Sequence, residues 1–260
     1  MKLLIILLIN ITSLLALVSV APVDIGDRPG THVIGSVSLE SKRGNTDRNN
    51  YQASARVTYD DAQDYVVWGE VAGEYGQSRH QKDTDNLYAH LRYISAIDLL
   101  PIYSNNLRAE YFGQIQRDEF KLIEERGLLG VGLRYKLFEL LNSISPNVFR
   151  TSRGYLGAGG LYERIGYTSD DPIENNVRLN TYFAYVMEFS RDASFSYNFY
   201  YQPKINYFSD YAISNKFELK VKIFEKFFLS FNAYYDVDSI PPHSVETNDY
   251  GQKTNLIFEF

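Results

Sequence analysis

The side chains able to do chemistry are few. The chain has 260 residues, no cysteine and four histidines, His32, His80, His90 and His243. Without cysteine there is no disulfide framework, no thiol nucleophile and no thiolate-bound zinc. No HExxH spacing links the histidines, so the helical zinc-hydrolase site is excluded too. Two His–Asp neighbourhoods are left, His80 with Asp83 and Asp85, and His243 with Asp238. A carboxylate beside an imidazole can orient it to activate water. Both groups, however, lie in polar stretches where solvated loop residues are the simpler reading, and no catalytic residue is assigned.

Metal and phosphate chemistry fare no better. Asp170-Asp171 with Glu174, and Asp236 with Asp238, offer oxygen ligands, but no DxDxDG spacing accompanies them. No metal and no cofactor are expected. Gly157, Gly159 and Gly160 lack the Lys-Ser/Thr that completes a phosphate loop. Small residues that let strands approach closely explain them better. A net charge of −6 argues against a nucleic-acid partner.

The elements that carry these residues are legible from periodicity. Apolar and polar residues alternate nearly everywhere after residue 30. Tyr51, Ala53, Ala55, Val57 and Tyr59 alternate with Gln52, Ser54, Arg56 and Thr58, and Phe217, Leu219, Val221 and Ile223 alternate with Glu218, Lys220 and Lys222. A helix would bring these charges onto its apolar face, whereas a strand separates the two sets. About twelve such segments start near residues 32, 50, 65, 84, 105, 125, 152, 176, 194, 212, 227 and 250. Most run roughly 9–13 residues, the length a tilted strand needs to cross a bilayer. The chain carries 22 Tyr and 16 Phe, and pairs such as Tyr51/Tyr59 and Tyr65/Tyr75 bracket single segments. That spacing matches an apolar band edged by aromatic girdles. A transmembrane antiparallel up-and-down β-barrel of about twelve strands follows.

Charge falls on one face of these segments. Arg56, Glu70, Glu74, Arg92, Arg108, Glu110, Arg134, Lys136, Arg178, Glu188, Glu218, Lys220, Lys222 and Glu259 are assigned to the lumen. Eight are basic and six acidic, a near balance that suits mutual neutralisation more than a strongly selective filter. His90 joins this face beside Arg92. No histidine falls on an apolar face, which argues against a lipid-facing Ser–His hydrolase.

The ends of the chain read as addresses. Lys2, the apolar run Leu3–Val18 and the small residues Ser19-Val20-Ala21 form a secretory signal peptide over residues 1–21. Residues 22–31 are read as a short periplasmic lead and 32–260 as the barrel. With a periplasmic start, the links after odd segments face outward: Asn45-Thr46, Gly76–Asp83, Gln116–Leu122, Gly166–Asn175, Phe208-Ser209-Asp210 and Asp238–Asp249. Leu256, Phe258 and Phe260 alternate up to the carboxyl end, a pattern read by the barrel-assembly machinery in bacterial outer-membrane proteins.

From Gly44 onward the chain resembles the domain-of-unknown-function-481 family of salt-induced outer-membrane proteins. The likeness rests on Gly44-Asn45-Thr46, Arg117-Asp118-Glu119-Phe120, Arg126, Gly130-Val131-Gly132, Arg134-Tyr135, the Tyr235-Asp236 to Pro241-Pro242 stretch and Phe258-Glu259-Phe260. It implies an outer-membrane barrel over roughly residues 32–260 and no catalytic residues. The expected partners are therefore the lipid bilayer, lipopolysaccharide and the assembly machinery, for a monomer in a Gram-negative outer membrane. A narrow passive pore is the first functional expectation. A filled, non-conducting structural or envelope-stress barrel is the second, and an outer-membrane hydrolase a distant third.

Overall fold

A computed structural model describes residues 23–42, 48–79, 81–97, 106–141, 150–168, 172–190, 192–243 and 245–260. The signal-peptide reading lies outside them, as do Asn45-Thr46, His80 and Asp170-Asp171. The described residues form twelve strands: β1 (Gly30–Lys42), β2 (Arg48–Asp60), β3 (Tyr65–Ser78), β4 (Gln81–Ala96), β5 (Leu107–Asp118), β6 (Ile123–Leu141), β7 (Thr151–Tyr167), β8 (Glu174–Ser190), β9 (Ala193–Lys204), β10 (Tyr207–Phe224), β11 (Phe227–Asp238) and β12 (Asn248–Glu259). Each pairs antiparallel with its sequence neighbour. β12 closes the ring on β1, with Ile34 opposite Glu259 and Val37 opposite Leu256. Closure leaves no open strand edge, the condition a sheet must meet in lipid.

The start of β1 and the end of β12 lie at one end of the barrel, the near end. The outer surface between the two ends is apolar. Val57, Val71, Leu87, Leu91, Ile115, Leu129, Val131, Leu133, Val177, Leu219 and Leu229 are all exposed there. An apolar belt of this extent is unfavourable in water and favourable in hydrocarbon. Rings edge the belt. At the near end Tyr59, Tyr65, Tyr93 and Tyr111 form a chain across β2 to β5, with successive centroids 5.9, 5.4 and 6.3 Å apart. Tyr185, Phe195, Phe217 and Phe231 continue the girdle across β8 to β11.

The strands are longer than the alternation suggested, reaching 19 residues in β6. Phe208-Ser209-Asp210, expected to be a link, belongs to β10, and the turn is Ile205-Asn206 instead. Most of Gly76–Asp83 is likewise strand. The reason is physical. Alternation marks only the part of a strand that contrasts lipid with lumen, whereas backbone pairing continues into polar sequence beyond the belt.

Candidate functional site in the barrel lumen

The inward face is divided along its circumference. From β3 to β9 its middle is densely packed. Trp68 stacks on His90 at 4.8 Å, and His90 on Phe112 at 6.0 Å. The Arg56 and Arg92 guanidinium carbons sit 4.7 Å from the Trp68 ring and 5.1 Å from the Phe112 ring. Phe112, Leu128 and Leu161 form one buried cluster, and Tyr155, Tyr182, Ala184 and Tyr200 a second. Two glycines make room for these rings. Phe112 fills the space a Cβ at Gly130 would need, and Tyr182 does so at Gly157. At Gly159 the obstacle to a Cβ is the Val131 carbonyl of the neighbouring strand, so only glycine fits there.

Buried charges in this wall are paired. Glu163 receives Arg126 Nε at 2.7 Å on one carboxylate oxygen and Arg178 Nε at 2.8 Å on the other. Arg178 also reaches Asp210 at 2.9 Å, and Lys204 reaches Asp210 at 2.6 Å. Glu110 accepts from the Tyr182 hydroxyl at 2.6 Å and lies 3.5 Å from Arg134 Nε and 3.8 Å from an Arg92 terminal nitrogen. Pairing is what permits charge in a low-dielectric interior.

The other side of the lumen is open. A cavity of about 740 Å³ runs along β1 to β3 and β9 to β12. Its lining reaches from Arg28, Arg150 and Asp192 at the near end to Gln116, Asp118 and Lys253 at the far end. Ser36, Gln52, Ser54, Asn198, Asn232 and Asn255 set neutral polar groups among apolar lining residues such as Ile34, Phe228 and Ile257. The charges along it are mostly spoken for. Arg56 is bidentate on Glu70 Oε2 through Nε at 2.8 Å and a terminal nitrogen at 2.5 Å. Lys220 binds Glu259 at 2.6 Å, Arg28 binds the same carboxylate at 3.0 Å, and Lys253 binds Glu74.

Both mouths are narrowed from within. At the far end a short 3₁₀ turn, Glu119–Lys121, follows β5 and is capped by Asp118, which accepts from the Phe120 and Lys121 amides. The turn carries Lys121 to an ion pair with Asp249 of β12, five strands round the barrel. At the near end, residues 23–29 fold back against the lumen. Asp24 is 2% exposed. Its carboxylate lies 3.4 Å from an Arg134 terminal nitrogen, 3.6 Å from Arg108 Nε and 3.1 Å from Lys136 Nζ. Burial alone would push this carboxyl up, but Arg134, Lys136 and Arg108 outweigh it and hold it below its ordinary value. Asp27 pairs with Arg153.

Of the residues assigned to the lumen from sequence, the structure brings Arg56, Glu70, Glu218 and Lys220 to the open cavity. It buries Arg92, Glu110, Arg134 and Arg178 in the packed wall. Arg108 joins the Asp24 cluster, and Lys222 reaches Asp192 at the near rim at 3.3 Å. Leu256 and Phe258 sit on β12, and the Phe258 ring packs on Phe227 at 4.9 Å. Phe260 exchanges backbone hydrogen bonds with Val33 of β1. His90 is buried with Nδ1 3.1 Å from Gln114 Oε1, while His243 is exposed in the β11–β12 loop.

Sequence reasoning passed over Arg126, Arg153, Glu163 and Asp24 as lumen charges. The first three lie on the inward rows of β6 and β7, and continuing the alternation past the apolar belt would have found them. Asp24 precedes the barrel and carries no periodic signal.

The fold is shared with a solved outer-membrane channel. The COG4313 outer membrane channel from Pseudomonas putida F1 superposes with a TM-score of 0.53 at 13% identity, covering 93% of this chain and all of that one. The NanC porin gives 0.49 at 10% identity over 87% of this chain and 98% of that one. The KdgM porin in complex with disordered oligogalacturonate gives 0.46 at 7% identity over 88% and 96%. No curated protein matches the sequence. The family described as protein of unknown function, DUF481, matches residues 35–260, and this twelve-stranded barrel belongs to it.

Proposed function

We propose that the protein is a narrow passive pore for small polar solutes in a Gram-negative outer membrane, and not an enzyme. The observation that carries the reading is the cavity of about 740 Å³, whose lining mixes amides, hydroxyls and paired charges with apolar side chains and reaches from the near end to the far end of the barrel. Such a lining solvates small polar molecules without holding them tightly, as conduction requires. The ion pairs of Arg56, Lys220 and Lys253 along the cavity also predict weak ion selectivity. The shared fold with an outer-membrane channel agrees with this reading. The signal peptide would deliver the chain to the periplasm and be removed there. Assembly machinery would then read the Leu256–Phe258–Phe260 strand, leaving a monomer surrounded by phospholipid and lipopolysaccharide with its near end in the periplasm.

A second reading has its own support. The packed β3–β9 wall, the Lys121–Asp249 brace and the folded-back lead are what a non-conducting structural or envelope-stress barrel would contain. Single-channel recording of the purified protein in planar bilayers separates the two. Small, weakly selective conductance steps are expected. A folded, heat-modifiable protein that stays silent would establish the filled barrel.

A further inference from the structure

We propose that Arg108, Arg134 and Lys136 form a carboxylate-binding site at the near end of the lumen, which the chain's own Asp24 occupies in this structure. Three cations from two adjacent strands converge on one carboxylate, and the Tyr155 hydroxyl points to the same group at 3.4 Å. The site is built by the barrel and not by its occupant. Arg134 is 2% exposed and held 4.9 Å above the Tyr155 ring, with Glu110 behind it. Next to it, buried Arg92 keeps Nε and one terminal nitrogen without a hydrogen-bond acceptor among the described residues. Asp24 is one of the carboxylates that balance this group of cations, beside Glu110, which pairs with Arg92 and Arg134, and Glu139, which pairs with Lys136. A basic, preformed, partly dry recess of this kind favours an anion, and carboxylate matches the forked guanidinium donors.

The occupant is held in a way that permits exchange. Beyond Asp24 the lead has little apolar anchorage, for Val23 and Ile25 are half-buried and residues 26–29 exposed. Its fold-back depends on Gly26 in the left-handed region (φ +83°) and on Asp60, which accepts the Gly26 and Arg28 amides at 2.9 and 3.0 Å. The remaining hold is polar: the Asp24 cluster itself, Asp27 on Arg153, Arg28 on Glu259 at 3.0 Å and the Val23 carbonyl on Arg134 at 2.8 Å. A soluble carboxylate competes for the same donors. The lead thus acts as a tethered ligand, and a carboxylate-bearing solute displaces it from the cavity that Val23, Asp27 and Arg28 help to line. That last consequence rests on the pore reading, but the site does not.

The test uses the full mature chain refolded in detergent, with acetate as the probe and chloride at matched ionic strength as the control. Asp24→Gly is expected to lower the thermal midpoint by several degrees. Acetate should restore part of the loss in a saturable manner, and should do nothing for D24G combined with Arg134→Gln. Absence of a saturable acetate shift, or an equal shift with chloride, overturns the site. If D24G fails to fold, Val23→Cys in the otherwise wild-type chain gives the same answer, because no other cysteine is present. Acetate should then raise its labelling rate by a charged maleimide several-fold over chloride, and an unchanged rate overturns the proposal. In planar bilayers D24G should conduct more and shift its reversal potential toward anions. Silence of wild type and variant alike would end the pore reading while leaving the thermal and labelling results to judge the site.

Discussion

Leu91 and Leu219 show what each residue's facing costs. Both are exposed on the outer belt, 59% and 37%. Arginine at either would place a charge against hydrocarbon, and folding into lipid vesicles should weaken by roughly 2–4 kcal/mol near the midplane. Gln52→Arg, on the cavity lining, should lose far less, since water reaches it. Urea titrations of the three variants in vesicles check this, and equal losses would contradict the facing. Glu163 is the opposite case. It is 1% exposed and shared by Arg126 and Arg178. Glu163→Gln takes the counter-charge from Arg126 and leaves Arg178 with Asp210, and breaking a buried pair costs about 3–5 kcal/mol. The same titration should show a loss in that range, with E163Q suffering more than Glu70→Gln, whose Arg56 partner borders the cavity.

At the level of elements, β12 decides whether the sheet closes. It is joined to β11 by a register running from Phe227↔Phe258 to Val237↔Asn248, but among the described residues β1 holds it over four ladder pairs, Ile34↔Glu259 to Val37↔Leu256. Phe260 extends that short seam by exchanging backbone hydrogen bonds with Val33, and Lys226 caps its ring at 5.2 Å. Deleting Phe260 should reduce insertion in cells and leave periplasmic aggregate. The check is surface exposure together with heat-modifiable mobility on gels. Wild-type behaviour of the deletion would deny the terminal residue a part in closure or assembly.

For the whole molecule, the arrangement of charge along the lumen should govern what passes. Lys220 neutralises Glu259 and Lys222 neutralises Asp192, both toward the near rim. Replacing both lysines by Glu turns this stretch acidic while leaving the apolar belt untouched. In a hydrated passage the reversal potential should move toward cation selectivity, more strongly at low salt where screening is weak. Unchanged selectivity in a conducting, folded double variant would show that ions take another route. Unfolding of the variant at much lower urea would instead place these lysines in a dry lumen.

The sequence by itself determined the barrel. Alternation of Leu87, Ala89, Leu91 and Tyr93 with His90 and Arg92 fits a strand and not a helix, and the length of such segments, their aromatic content and the signal-peptide pattern turn the apolar face toward lipid. It also determined which face each of Arg56, Glu70, Glu218 and Lys220 would take, because a period of two has no freedom of rotation. Tertiary structure alone decided how the lumen is filled. Trp68, Phe112, Leu128 and Leu161 stand on inward rows beside the charges, and nothing along the chain says that they meet to pack one side densely. Pairs such as Lys121–Asp249 and Arg134–Asp24 join residues more than a hundred positions apart. Local pattern fixes a side chain's direction, but what it meets across a closed ring depends on strand order, register and the inward folding of the turns. Those belong to the assembled barrel.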